Sequence, residues 1–244
     1  MKKSVLFMLA FVVCALGLHA QDSLSNQHSL NFPTNHYGIS IGNSRVFNGI
    51  RLNFAESNVK TINGINITCC AKSNKNTEAV VNGVSVGVLP SGGTFRFINI
   101  GLLGVGAHHS IKGVTCAGVV IGSSGSLKGF SASGIVTISD TISGAAVAGL
   151  LVGSQKANGI IVSGLSVLSE GDIKGVALTP GYLRSDKLNG FAVAGYNNIN
   201  QTKGITVAII NTTKSLHGIQ LGLINYAANN PKWLRVLPLI NLHF

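Results

Sequence analysis

Between Lys112 and Tyr226 one short pattern is written eight times. Counted from its glycine it reads Gly, apolar, variable, apolar, variable, then Gly or another small or apolar residue, then usually an apolar one. It begins at Gly113 (GVTCAGV), Gly129 (GFSASGI), Gly144 (GAAVAGL), Gly159 (GIIVSGL), Gly175 (GVALTPGY), Gly190 (GFAVAGY), Gly204 (GITVAII) and Gly218 (GIQLGLI). The steps are 16, 15, 15, 16, 15, 14 and 14 residues. A period held this tightly marks a repeat architecture, in which each unit buries its apolar side only by stacking on its neighbours. Diverged copies precede it at Asn48-Gly49-Ile50-Arg51-Leu52, Asn63-Gly64-Ile65-Asn66-Ile67 and Asn82-Gly83-Val84-Ser85-Val86. The 30 residues from Gly83 to Gly113 span two periods, so a unit near Phe97–Gly104 has lost its marker glycine. The array then has about twelve units of 14–19 residues.

Apolar residues fall at positions 1, 3, 6 and often 8 after the glycine, as in Val114, Cys116, Val119 and Ile121, or Ile160, Val162, Leu165 and Val167. Alternation with period two marks strand. The switch from odd to even marks a bend at the small residue in position 5 (Gly118, Gly134, Gly149, Gly164, Gly195), which is expected to bring all four side chains onto one core. The tails are polar (SSGS at 123–126, SDT at 139–141, SEGD at 169–172, RSDK at 184–187) and read as solvated turns. Each ends on an apolar residue two before the next glycine (Leu127, Ile142, Ile173, Leu188, Leu216), pointing back inward. The marker glycines are expected at corners, where positive φ or close backbone approach favours a residue without Cβ. Asn197, Asn211 and Asn225, each seven after a glycine, should form a ladder of amides. The expected fold is an all-β parallel solenoid, a rod of roughly 55–60 Å at about 4.8 Å per coil.

The alternative is an antiparallel outer-membrane β-barrel. Five Asn-Gly pairs are a hairpin signal, and the chain ends on Phe244 with Leu242 and Ile240 alternating behind it. Uniform connections, few aromatics (6%) and the 1, 3, 6, 8 spacing weigh against a lipid-facing barrel wall.

Residues 1–20 read as a secretory signal: Lys2 and Lys3, an apolar run from Val5 to Leu18, and the small-residue site Leu18-His19-Ala20. Residues 21–45 form a polar leader and N-terminal cap, 46–230 the array, and 231–244 a capping segment in which Trp233 covers the open end. No later segment reaches 18 unbroken apolar residues, so no transmembrane helix is expected. Without Lys2 and Lys3, sixteen Lys and Arg face seven acids, a net charge of about +9. That favours anionic partners, lipid phosphate or acidic polysaccharide, and in an exported chain it does not point to nucleic acid. Cys14 lies in the signal. The remaining Cys69, Cys70 and Cys116 are an odd set and are expected as free, buried thiols rather than a disulfide framework.

No catalytic constellation is visible. Among the acids Asp22, Glu56, Glu78, Asp140, Glu170, Asp172 and Asp186, only Glu170 and Asp172 are close in sequence, and they lie in a turn. His108 and His109 are adjacent on a strand and should point to opposite faces, which prevents chelation of one ion. His28, His36, His217 and His243 show no ligand spacing, and Gly104-Val105-Gly106 opens no phosphate loop. Position 2 (Thr115, Ser131, Ala146, Ile161, Ala177, Ala192, Thr206, Gln220) is too mixed for an ice-binding threonine column. Neither a metal nor a cofactor is expected, and the chain reads as non-enzymatic. Asp22-Ser23-Leu24 and Asp140-Thr141-Ile142 match a short O-glycosylation acceptor pattern at Ser23 and Thr141.

One surface feature repeats. The residue before each glycine is Lys112, Lys128, Ser143, Asn158, Lys174, Asn189, Lys203 and His217. Stacking puts these in one column, so that Lys112, Lys128, Lys174, Lys203 and His217 form a candidate anion-binding strip, with Lys156 and Lys187 close to it.

The units NGI-x-[IV]-x-G, the unit HGIQLGLINYA at 217–227 and the ending NPKWLRVLPLINLHF resemble a family of bacterial surface-repeat proteins, exported by Gram-negative bacteria and built from GLQIGLVN-type repeats. The resemblance covers roughly residues 37–244, most specifically Leu216–Phe244. It implies a place in the cell envelope (cell surface, outer membrane or periplasm) and no established catalytic residues. The function expected for an exported solenoid of this kind is a structural or adhesive one, with envelope proteins as further partners. The rival function, tied to the barrel, is an outer-membrane pore or assembly component.

Overall fold

A computed structural model describes residues 29–34, 36–71 and 77–244; the expected signal and the leader up to residue 28 lie outside the described residues. The strands are β1 (Ser29–Pro33), β2 (Tyr37–Gly42), β3 (Val46–Glu56), β4 (Thr61–Ala71), β5 (Val80–Leu89), β6 (Ser91–Gly101) and β7 (Gly104–Ala117). They continue as β8 (Val120–Ser133), β9 (Val136–Ala148), β10 (Leu151–Ser163), β11 (Ser166–Ser169), β12 (Asp172–Leu178), β13 (Tyr182–Ala227) and β14 (Val236–His243). β13 carries three successive units, with marker glycines at 190, 204 and 218.

From β2 onward each coil pairs in parallel with the next. Parallel neighbours need a crossover and cannot be joined by tight hairpins. The chain is therefore a parallel β-solenoid, and the antiparallel barrel is set aside. Both ends are closed by antiparallel strands. β1 folds back on β2, and β14 lies along Gly218–Tyr226 of the last coil. It is this strand, not Trp233, that covers the terminal edge; Trp233 is 82% exposed.

The register carries marker onto marker along the whole stack, from Gly38 through Gly49, Gly64 and Gly83 to Gly218. All thirteen members have positive φ, between 95° and 143°. At Gly159 a Cβ would stand 2.0 Å from the Gly144 carbonyl oxygen of the preceding coil. The corner thus needs both the backbone angle and the missing side chain.

The unit without a glycine fills the same place with Phe97, at φ 95° between Gly83 and Gly113. Its ring is 66% exposed, so packing contributes little to hold that angle. Non-glycine residues in such regions cost about 1–3 kcal/mol. Phe97→Gly should therefore be more stable than Phe97→Ala, by roughly 1–2 kcal/mol, because only the glycine variant relieves the backbone. Chemical denaturation of the two variants measures the difference.

The interior corrects the expected core. Positions 1 and 3 point outward: Val114 is 44% and Ile160 51% exposed, and Cys116 and Val162 are half-buried. Position 6 is outward as well, at Leu150 and Leu165. The core is built from the opposite parity. Two before the glycine stand large buried residues, including Phe47, Ile62, Phe95, Ile111 and Leu188. At position 2 the side chains are mostly small, as in Ser131, Ala146, Ala177 and Ala192, with Ala148 and Ser163 at position 4. Position 8 supplies Ile121, Val152, Val167 and Leu183, which do point inward as expected. A bore this narrow accepts bulk on one side only if the facing columns are small. Arg51, Ile161 and Gln220 are the larger residues at position 2; the Arg51 guanidinium donates to Asn66 Oδ1 (2.8 Å) and Asn43 Oδ1 (2.9 Å).

The bends at position 5 fall where expected at Gly118, Gly134, Gly149 and Gly164, which stack there, each too close to the preceding carbonyl for a Cβ, whereas Gly195 lies inside the unbroken strand β13 and marks no bend. The tails are not wholly solvated. Ser123, Ser139, Ser154, Ser169 and Ser185 are buried. Ser139 and Ser185 donate to the carbonyls of Gly125 (3.1 Å) and Gly171 (2.8 Å) one coil earlier. The asparagine ladder is present and buried: Asn197 Nδ2 donates to Asn211 Oδ1 (2.9 Å), and Asn211 Nδ2 to Asn225 Oδ1 (2.8 Å).

The marker column is also a border. On its far side positions 1 and 3 are apolar in all thirteen coils, from Ile39 and Ile41 to Ile219 and Leu221, and Leu242 and Ile240 of β14 extend both columns by a row. On its near side the preceding residues are polar or charged, apart from Tyr37 at the start.

Candidate functional site

The column before the glycines is assembled by parallel register alone. Lys112 pairs with Lys128, Lys128 with Ser143, Ser143 with Asn158, Asn158 with Lys174, and Lys174 with Asn189. Lys203 and His217 follow at the same place in the next two coils. The column points outward because the residues on either side of it, two before the marker and the marker's own position, turn inward or toward the stack. Lys112, Lys128, Lys174, Lys203 and His217 are all exposed. The structure thus brings together every member of the expected strip.

It adds one that sequence reading missed. Arg96 pairs with Lys112 and donates to Asn82 Oδ1 (3.4 Å), so Arg96, Lys112 and Lys128 occupy three successive rows. With strands about 4.8 Å apart, three cations fall within about 10 Å. The signal lay in the spacing: Arg96 is 14 after Asn82 and 16 before Lys112. Without a glycine at 97 that position had no marker to be counted from. Toward the amino end the column becomes neutral. Asn63 Nδ2 donates to Asn48 Oδ1 (2.6 Å) and Asn82 Nδ2 to Asn63 Oδ1 (2.7 Å).

Two residues before that column, Lys156 and Lys187 stand in a second, parallel column with Asp172 in the row between them. Between the two columns runs a groove of about 570 Å³, lined by Lys174, Lys187, Lys203 and His217 with Asp172, Asn189 and Gln201 among them. Asp172 faces Lys187 in register and is the only acid in the lining. Among the described residues none of these three lysines is within ion-pairing distance of a carboxylate. At the carboxyl end His243 of β14 meets His217 edge to face, ring centres 5.9 Å apart. Such a groove can hold anions by charge and N–H donors.

The other candidates are scattered. His109 Nε2 lies 3.3 Å from Glu78 Oε1 on the surface, with His108 half-buried beside it. Among the described residues no three His, Cys, Asp or Glu side chains gather as a metal site. The cysteines are free, but all three are half-buried, so the expected buried thiols are not what is found. Burial pushes the Cys70 thiol up, and the Cys69 sulfur 3.8 Å away adds to it, which keeps Cys70 a poor nucleophile. The position 2 column faces the bore, so its mixed composition says nothing about an outer binding surface. Thr141 is half-buried, and Ser23 lies outside the described residues. No helix is long and apolar enough to cross a membrane.

No family model matches this chain, and neither does any curated protein or solved structure.

Proposed function

We propose that the protein is an exported, non-enzymatic repeat module of the bacterial cell envelope, with a structural or adhesive role carried out by binding anionic groups along one edge. A β-solenoid is consistent with a structural or binding repeat protein. The single observation that supports the anion-binding reading is the outward column Arg96, Lys112, Lys128, Lys174, Lys203 and His217, in which no acid is interspersed. Charges spent only on solubility would be mixed in sign and spread over the surface. Here one sign is ordered in a line, and its natural counterpart is a row of anions such as those of a glycolipid layer or an acidic polysaccharide.

Individual contacts of this kind are weak and their sum is salt-dependent. Each Lys or Arg near an anionic surface contributes about 1 kcal/mol. Replacing Arg96, Lys112, Lys128, Lys174 and Lys203 together by Gln should weaken binding at low ionic strength at least a hundredfold, on the order of a few kcal/mol. The melting temperature should stay the same, because all five side chains are exposed. The measurement is equilibrium binding to an immobilised anionic glycolipid and to an acidic polysaccharide across a salt series. Binding that survives the fivefold change, or that ignores salt, would leave the column as a solubility device.

A further inference from the structure

The surface on the other side of the marker glycines is unlike that of a soluble monomer. Two outward columns, at positions 1 and 3, hold twenty-six residues, and every one is Ile, Val, Leu, Phe, Ala or Cys. β-propensity does not explain this, because threonine suits a strand equally well and appears at none of these places. The apolar surface continues around the bend onto position 6, where Leu150, Leu165, Tyr196, Ile210 and Ile224 are exposed. Of the ten phenylalanines Phe47 and Phe95 are in the core, whereas Phe130 and Phe191 stand on this face. Contiguous apolar surface of this extent marks an interaction site.

We infer that this face lies on a lipid bilayer bearing anionic headgroups, with the rod flat against the membrane, its apolar columns in the headgroup–acyl boundary and the Arg96–His217 column alongside at the phosphates. Charge selects this occupant. Without Lys2 and Lys3 sixteen Lys and Arg still face seven acids, a net charge of about +9, and the polar border of the face holds cations and no acid. A second copy would set like-charged rods side by side. An anionic bilayer attracts the edge, and it accepts apolar side chains that curve around a corner, which a flat rigid partner would leave uncovered. Surfaces with an apolar face, aromatic residues and a basic flank bind in this way. The inference rests on the anion-binding reading and adds to it the class of partner and the mode of contact.

The test uses the purified protein and vesicles of phosphatidylcholine with or without phosphatidylglycerol. Trp233 is the single tryptophan, so Phe191→Trp combined with Trp233→Phe places the only indole on the face. Its emission should shift to the blue on adding anionic vesicles and be quenched by lipids brominated along the acyl chain. Phe130→Ser, Ile160→Ser and Phe191→Ser together should lower vesicle partitioning at least about tenfold while leaving the circular dichroism spectrum unchanged. Binding without a blue shift, insensitive to the three serines, would overturn the inference and leave the cationic edge as the whole of the contact. Equal affinity for soluble acidic polysaccharide, again unaffected by the serines, would also overturn it. So would a dimer in solution that the serines dissociate, since the face would then belong to a second copy.

Discussion

Gly159→Ala should destabilise the protein by at least about 3 kcal/mol, although it adds a single methyl group in the middle of the stack. Two costs combine. At φ +131° an L-residue is strained by roughly 1–3 kcal/mol. The new Cβ would also fall 2.0 Å from the Gly144 carbonyl oxygen, which is backbone and cannot rotate aside. The coils must separate there, and inter-coil hydrogen bonds on either side of Gly159 stretch with them. Gly122→Ala is the matched control. A Cβ at 122 meets nothing within 4 Å, and its φ is not in the left-handed range. That change should be neutral or stabilising by up to about 1 kcal/mol, through the unfolded chain. Urea denaturation of the two single variants gives the comparison, and equal midpoints would remove the corner role from the marker column.

The second large effect is expected inside the bore. Asn211 is fully buried and sits at the middle of its ladder: it accepts from Asn197 Nδ2 and donates to Asn225 Oδ1 and to the Leu221 carbonyl (2.9 Å). Asn211→Ala leaves a buried donor and a buried amide acceptor without that partner, at about 1–3 kcal/mol each, and opens a small cavity. A loss of about 3–4 kcal/mol follows. Asn200→Ala, which removes only a surface bond to Asp186 Oδ1, should stay within about 0.5 kcal/mol. Amide hydrogen exchange would place the damage: protection should fall first in the coils around Asn211. Uniform loss of protection, or none, would contradict the ladder's local role.

The stacking was legible in the sequence because it depends on features that repeat in one place. A glycine forced to φ near +130° recurs at fixed spacing, and the amide at 197, 211 and 225 recurs with it. The apolar residue two before the marker was legible for the same reason. What the sequence could not decide is which of two alternating faces is inside. Ile160 and Val162 alternate with Ile161, and alternation is the same read from either side. Bore width decides it, and bore width is a property of the closed coil. Small residues at 146, 177 and 192 were the available clue, since a narrow interior selects them. Ser169 misled in the same way: a serine in a polar tail looks solvated until the coil closes and its Oγ finds the Gln155 carbonyl at 3.4 Å. Arg96 was hidden by the loss of one marker glycine at 97, which removed the reference point from which its column is counted.

Coil length varies along the chain while the marker register does not. The step from Gly64 to Gly83 is 19 residues and that from Gly204 to Gly218 is 14, yet glycine still meets glycine. The irregularities fall in the tails, between Gly92 and Thr94 and between Ser123 and Ser126. Gain or loss of a whole unit therefore disturbs neither border nor bore, and it changes the rod by one row of about 4.8 Å. Each added row brings one more apolar pair and one more site for a cation, held rigidly beside the last. A rod of this kind has its valency written as its repeat number, and duplication of a single fifteen-residue stretch is enough to raise it.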